Sequence, residues 1–560
     1  MKTIQHAVNN TPDGTEVNPT NIHVLPGLYK ECVEVHNRNY LCLLGSGAES
    51  TTIHAWPRRG DLNGDGWVTE ADASILQDIV VGNRESTPND WQQGDINVDG
   101  KFTVHDVLML LNLPQRGRCV SFGNSQNGEI SGFTITGGYA DHGGGISYWN
   151  SSPAITDNTI VNNLAQGDGG GILCGEGSPI ISRNKISSNS AEGNGGGIHC
   201  TPDCSATINA NEIAGNSAVH GGGIMCSKCS PTITDNTITN NEAKEGGGGI
   251  NCAEDCLPVI SVNTITDNSA AAGGGISCYK SSPTIIDNHI NNNSAEGNGG
   301  GINCGENCSS MISVNTITDN SATYGGGIEC YNGSPTIIDN HINNNSAEEN
   351  GGGIHCSQDG SATIEANEIA GNFTNNGSGG GITCYKCSPT IIDNRITNNS
   401  AEENGGGIIC WEYSSTISEN TITNNSARLD GGGIHCADDC SSVVSMNYIT
   451  ENSAGRNGGG IICYKSSPTL SNNKITNNSA EYGGGIHCCD NAYATITGGS
   501  ITGNHAGDLG GGVAYFSSTS TLNAPVSGNT CDYVPPEGFH LVQDVDNVCD
   551  FSKPYIEPDE

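Results

Sequence analysis

The chain has 560 residues, a formal charge of −39, 80 glycines, 25 cysteines and only 5% aromatic residues. A surface of that charge excludes nucleic acid and anionic membranes as partners, and it suits calcium or neutral glycans. Regularly placed Ile and Cys supply a buried stripe that a disordered polar chain lacks.

Residues 1–58 open with TIQHAVNN, in which Ile4, Ala7 and Val8 share one helix face, followed by short β-prone runs. The N-terminal residues have no apolar core of signal-peptide type, and no run reaches the length of a membrane span. The cysteine count and the loops that follow nevertheless suit an extracellular or cell-surface setting. We therefore expect Met1 to be a start inside a longer secreted protein, or a misassigned one.

The pattern changes over residues 59–114. DLNGDGWVTEAD and DINVDGKFTVHD are twelve-residue loops, 34 residues apart, with oxygen donors where calcium needs them. Asp61, Asn63, Asp65, the Trp67 carbonyl and Asp72 form one set. Asp95, Asn97, Asp99, the Lys101 carbonyl and Asp106 form the second. Gly66 and Gly100 occupy the sixth position, where such a loop turns sharply. Each loop runs into an apolar-periodic helix, through Ile75, Leu76, Ile79 and Val80 or Val107, Leu108, Leu110 and Leu111. Two Ca2+ sites follow from this reading.

Residues 119–530 are a repeat of about 26 residues. The motif GGGI places Ile146, Ile172, Ile198, Ile224, Ile250 and Ile276 at equal intervals, and variants continue to Val513. The consensus GGGIxCxxSSPTIxDNxITxNSA holds three β-prone segments, GIxC, PTIxD and NxIT, separated by turn chemistry. Three strands per repeat predict one coil of a parallel β-helix. Residues two apart share a face, so the Cys column, Cys174 to Cys488, is expected inside with the Ile. Two Asn columns, one through Asn158, Asn184 and Asn473 and one through Asn163, Asn189 and Asn478, predict buried amide ladders. Extra cysteines form CxxxC pairs at Cys204, Cys256, Cys308 and Cys440, and CxxC pairs at Cys229 and Cys387. Zinc or redox chemistry competes there with local disulfides or buried thiols, and the absence of a recurrent His spacing favours the latter.

The repeated coils resemble the right-handed β-helices of the pectin-lyase-like class, and their GGGI and IxxN elements resemble polymorphic outer membrane protein repeats. That resemblance implies an all-β solenoid whose open end is capped by the helix at Ile4, Ala7 and Val8. The segment 59–114 resembles a type I dockerin, including Asp at the twelfth position of each loop. It implies a small all-α module inserted into the solenoid, a cohesin-like partner, and attachment to a scaffold or cell surface. The positions that contact the partner in that family are Glu70–Ala71 and Val104–His105 here, so the two halves differ.

No catalytic residue is assigned. The middle residue of GIxC varies (Ser277, Asn303, Glu329, His355, Thr383, Ile409, His435 and His487) and is expected to face outward. Tyr279–Lys280, Tyr385–Lys386, Tyr464–Lys465, Trp411 and Tyr413 could line a glycan path, although ordinary solvated turns explain them as well. Near-copied coils, such as ISVNTITDNSA at 260–270 and 312–322, argue against a unique catalytic centre. The reading is a secreted calcium-binding, polysaccharide-associated scaffold. The alternative is a polysaccharide lyase or glycoside hydrolase. The tail, 531–560, carries no recognisable sorting signal.

Overall fold

In the computed structural model, which describes residues 3–55, 62, 70–81, 83–87, 117–532 and 548–550, the repeat closes into coils of a parallel β-solenoid. The chain divides into two units, Met1–Glu242 and Ala243–Glu560. Among the described residues no helix is long and apolar enough to cross a membrane.

From Tyr139–Ala140 onward each coil has four faces rather than the three expected. In one coil of the second unit the strands are Ile302–Cys304, Met311–Ser313, Thr316–Thr318 and Ser321–Tyr324. The fourth face is hidden in the sequence because its strands span only two to five residues, too short for a period to show. Neighbouring coils stack in register: Ile276 pairs with Ile302, Ile302 with Ile328, and the Cys of each with the Cys of the next. The core is therefore columns of one residue type. Ile302, Cys304, Ile312 and Ile317 are all fully buried.

The corners explain the Asn columns. Asp287 and Asn292 take left-handed backbone at φ 56° and 53°, which turns the chain between faces, and Asp and Asn tolerate that region better than most residues. The Asn that follows each turns inward. Asn293 donates its side-chain N–H to the Ile265 carbonyl (2.9 Å) and to Oδ1 of Asn320 (3.0 Å), so each coil satisfies its neighbour's polar groups. The GGG turn is forced by contact. Gly299 sits at φ +64°, and a Cβ on Gly300 or Gly301 would lie 2.5 or 2.7 Å from the carbonyl oxygen of the next coil.

In the first unit, helix α1 (Ile4–Asn10) buries Ile4, Ala7 and Val8 as the sequence implied. Its free N–H groups are met by the Glu31 carboxylate, at 2.8 Å from Ile4 and 2.9 Å from Gln5. The strands flanking residues 56–116 belong to one continuous stack. Val33–His36 pairs with Val120–Gly123, Leu41–Gly45 with Gln126–Ser131, and Thr51–His54 with Thr134–Thr136. The interruption thus falls at the corner where later coils place their SA strand and GGG turn. Helix α2 (Glu70–Val80) buries Leu76 and Ala73 with Leu62, and Ile75, Ile79 and Val80 pack against them.

Candidate functional site

The middle residues of GIxC form a row, one per coil, but they are not solvated as expected. Ser277, Glu329, His355, Thr383, Ile409, His435 and His487 are all buried. The first Gly of GGG folds back over this row, so that a Cβ on Gly351 would lie 2.6 Å from Cβ of His355. The alternation rule reads the two sides of an isolated strand and has no knowledge of that turn.

In the second unit Glu329 and His355 of this row line a cavity of about 550 Å³. The two join. Nδ1 of His355 lies 2.7 Å from Oε2 of Glu329, and the Ser357 hydroxyl donates to Oε1 at 3.0 Å. Both carboxylate oxygens are thereby engaged, and the imidazole is held by Nδ1, which leaves Nε2 as the nitrogen able to meet a ligand. Glu329 is 2% exposed, and it and Asp430 are the buried carboxylates among the described residues. Asp430 is taken up by Arg456, at 2.6 and 3.0 Å.

Aromatic rings surround the pair. Tyr324 stacks on His355, with centroids 5.4 Å apart and planes at 24°. Its hydroxyl donates to Glu349, and this bond raises the phenol to about 12, so Tyr324 stays neutral. Tyr331, Tyr385 and Trp411 also line the cavity, the last two edge to face at 6.2 Å. Lys386 reaches over the Tyr385 ring at 5.0 Å and pairs with Glu412 at 3.5 Å. Tyr385 and Trp411, weighed from the sequence as solvated turn residues, thus belong to a shaped surface. The cavity offers stacking faces, a fixed carboxylate–imidazole pair and exposed acidic and amide groups, which is donor and acceptor chemistry suited to a polyhydroxylated ligand.

The Glu329–His355 contact was present in the sequence only as two unlike residues in one column. Their spacing of 26 residues, equal to one coil, is the signal that would have paired them. Tyr279–Lys280 and Tyr464–Lys465 repeat the cation-over-ring contact, at 4.8 and 4.6 Å, without lining this cavity.

Of the calcium ligands expected from the sequence, Asp61, Asn63, Asp65, Trp67, Asp95, Asn97, Asp99, Lys101 and Asp106 lie outside the described residues. Asp72 falls within α2, its side chain outside what is described. The described part of this segment agrees with the helix expected after the first loop. Its donor set, carboxylates, amides and a carbonyl in a twelve-residue frame, fits a hard cation.

Compared with known families, the chain matches the right handed beta helix region over residues 118–289, 246–396 and 352–531, and the dockerin type I domain over residues 59–113. No curated protein matches it.

Proposed function

Because the chain belongs to the right-handed β-helix family and carries a type I dockerin domain, we propose that it is an extracellular, cohesin-tethered protein that binds polysaccharide along its β-helix. The observation that carries the glycan reading is the cavity over Glu329 and His355, walled by Tyr324, Tyr331, Tyr385 and Trp411. Sugar rings stack on aromatic faces while their hydroxyls take up fixed donors and acceptors. The charge of −39 favours a neutral glycan over a polyanionic one.

The dockerin segment supplies attachment. Asp61, Asn63, Asp65, the Trp67 carbonyl and Asp72 would hold one Ca2+, and Asp95, Asn97, Asp99, the Lys101 carbonyl and Asp106 a second. Bound calcium would order the two loops and helices into the surface a cohesin-type module recognises. The register of Val33–His36 on Val120–Gly123 supports an insertion between hydrogen-bonded strands, with the module leaving the solenoid at one corner.

The test uses the full chain with calcium against cohesin modules and neutral polysaccharides. Chelation, or Asp65→Ala with Asp99→Ala, is expected to abolish cohesin binding and leave glycan retention. Trp411→Ala with Tyr385→Ala is expected to do the reverse. Glycan retention unchanged in the aromatic variant would remove the cavity from the reading.

A second reading, a lyase or hydrolase, is favoured by the Glu329–His355 pair, since a held imidazole beside a carboxylate can move a proton at Nε2. Release of unsaturated or reducing ends that is lost in Glu329→Gln would establish it. Binding without product would leave the first reading.

A further inference from the structure

The extra cysteines of the CxxxC pairs do something the column cysteines do not. In the first unit, Cys174 and Cys200 are stacked column residues, paired in register on strands Ile172–Cys174 and Ile198–Cys200. Cys204 returns from the following turn to join them, its N–H bonded to the Thr201 carbonyl at 3.2 Å. The three Sγ atoms all lie within 4.8 Å of one another, and all three residues are buried, at 0, 0 and 1% exposure. A stack of column thiols alone supplies one sulfur per coil in a line. The turn cysteine converts the line into a triangle.

We propose that Cys174, Cys200 and Cys204 form a site for a thiophilic d10 cation of the zinc class. Three thiolates around such an ion at about 2.3 Å would set their sulfurs about 4 Å apart, a small contraction of the triangle present. Binding displaces a proton from each thiol that still carries one, and the ion takes up the three sulfurs as its waters leave. A divalent ion with three thiolates keeps one net negative charge. The buried Tyr148 hydroxyl, 3.8 Å from Sγ of Cys204, is placed to solvate it. Because the site is sealed, the ion enters as the coils close rather than afterwards.

A further feature separates this triangle from ordinary buried thiols. The turn cysteines Cys308 and Cys440 also reach back to column pairs, Cys278 with Cys304 and Cys410 with Cys436, but there a serine hydroxyl occupies the turn sulfur. Ser310 lies 3.0 Å from Cys308, and Ser442 lies 3.0 Å from Cys440. In the first unit that position is Ala206, and the hydroxyl facing the turn sulfur is the more distant one of Tyr148, at 3.8 Å.

The experiment takes the full chain, purified reduced and without oxygen, with calcium present to fill the oxygen-ligand loops. It is unfolded and refolded with increasing cadmium, so that the ion is present as the coils close, and thiolate-to-metal absorption is followed. The expected result is a saturating band that zinc suppresses and that loses one equivalent in Cys204→Ser, with Cys42→Ser unchanged. X-ray absorption on the zinc-loaded natural sequence should show a sulfur shell, which does not depend on any variant folding. A band retained in folded Cys204→Ser, an oxygen-only shell, or a disulfide joining Cys204 to Cys174 or Cys200 in the protein before reduction would each overturn the site.

Discussion

Glu329 and His355 stand one coil apart on adjacent, in-register strands, and their side chains meet at 2.7 Å in a place where Glu329 is 2% exposed. Removing one member of a buried pair leaves the other desolvated and unmatched, which typically costs about 3 kcal/mol. Glu329→Ala is therefore expected to lower unfolding stability in urea by roughly that amount. Glu329→Gln, which keeps an acceptor for Ser357 and His355, should lose less. Replacing both residues with Leu should recover most of the loss. If the alanine variant is as stable as the natural protein, the pair carries no folding role and its tie to Ser357 is incidental.

The ladder makes an equally direct prediction. Oδ1 of Asn293 accepts from both the backbone and side-chain N–H of Asn268, each at 3.0 Å, while its own amide serves Ile265 and Asn320. Asn293→Ala strands donors and an acceptor in the core, where each unmet group costs about 1–3 kcal/mol. We expect a loss of about 3 kcal/mol or more, read by chemical denaturation. Asn292→Ala, changed at the neighbouring exposed corner, should lose less because it touches no ladder bond.

Much of this architecture is legible in residue order because the solenoid converts sequence period into spatial contact. A residue 25 to 27 places away becomes a neighbour, so the Ile, Cys and Asn columns could be written down before any coordinates. Two things could not. The Ser–Ala strand is too short to display alternation, and the burial of His355 depends on a glycine turn folding over it. The site is less legible than the fold for the same reason. Repetition announces the columns, whereas Glu329, His355 and Trp411 matter by departing from them, and departure alone does not say which residues meet.

Val262 and Val314 occupy a corner where coils at Asp157, Asp235, Asp287, Asp339, Asp393 and Asn472 place Asp or Asn. Both hold φ 57°, and both are 52% exposed, so no burial offsets the strain. Left-handed backbone is costly for a β-branched residue, by about 1–2 kcal/mol. Their equivalents Asp287 and Asp339 adopt the same angle within two degrees. Val262→Asn and Val314→Asn should each raise stability by about 1 kcal/mol, and nearly additively because they share no partner. Thermal or urea midpoints that fall in both variants would contradict the strain argument.

Acid sensitivity should come partly from two histidines of the GIxC row. His435 and His487 are buried with neither ring nitrogen hydrogen-bonded, and burial pushes each down to about 4. In the unfolded chain both titrate near 6.5, so between about pH 6.5 and 4 the unfolded state binds more protons and stability rises with pH. Going the other way, the stability present above pH 6.5 is lost as pH falls toward 4, by up to about 3 kcal/mol for each ring. Below that value both states are protonated and the contribution is flat. The nearby Asp430 carboxylate opposes the shift of both rings without cancelling it. His435→Leu with His487→Leu should therefore flatten the unfolding free energy across pH 4–6.5 relative to the natural chain. The comparison is made as a difference, because protonation of paired carboxylates adds its own slope to both proteins. An unchanged slope would mean that these rings are hydrated or charged in the folded state, contrary to the packing of the row.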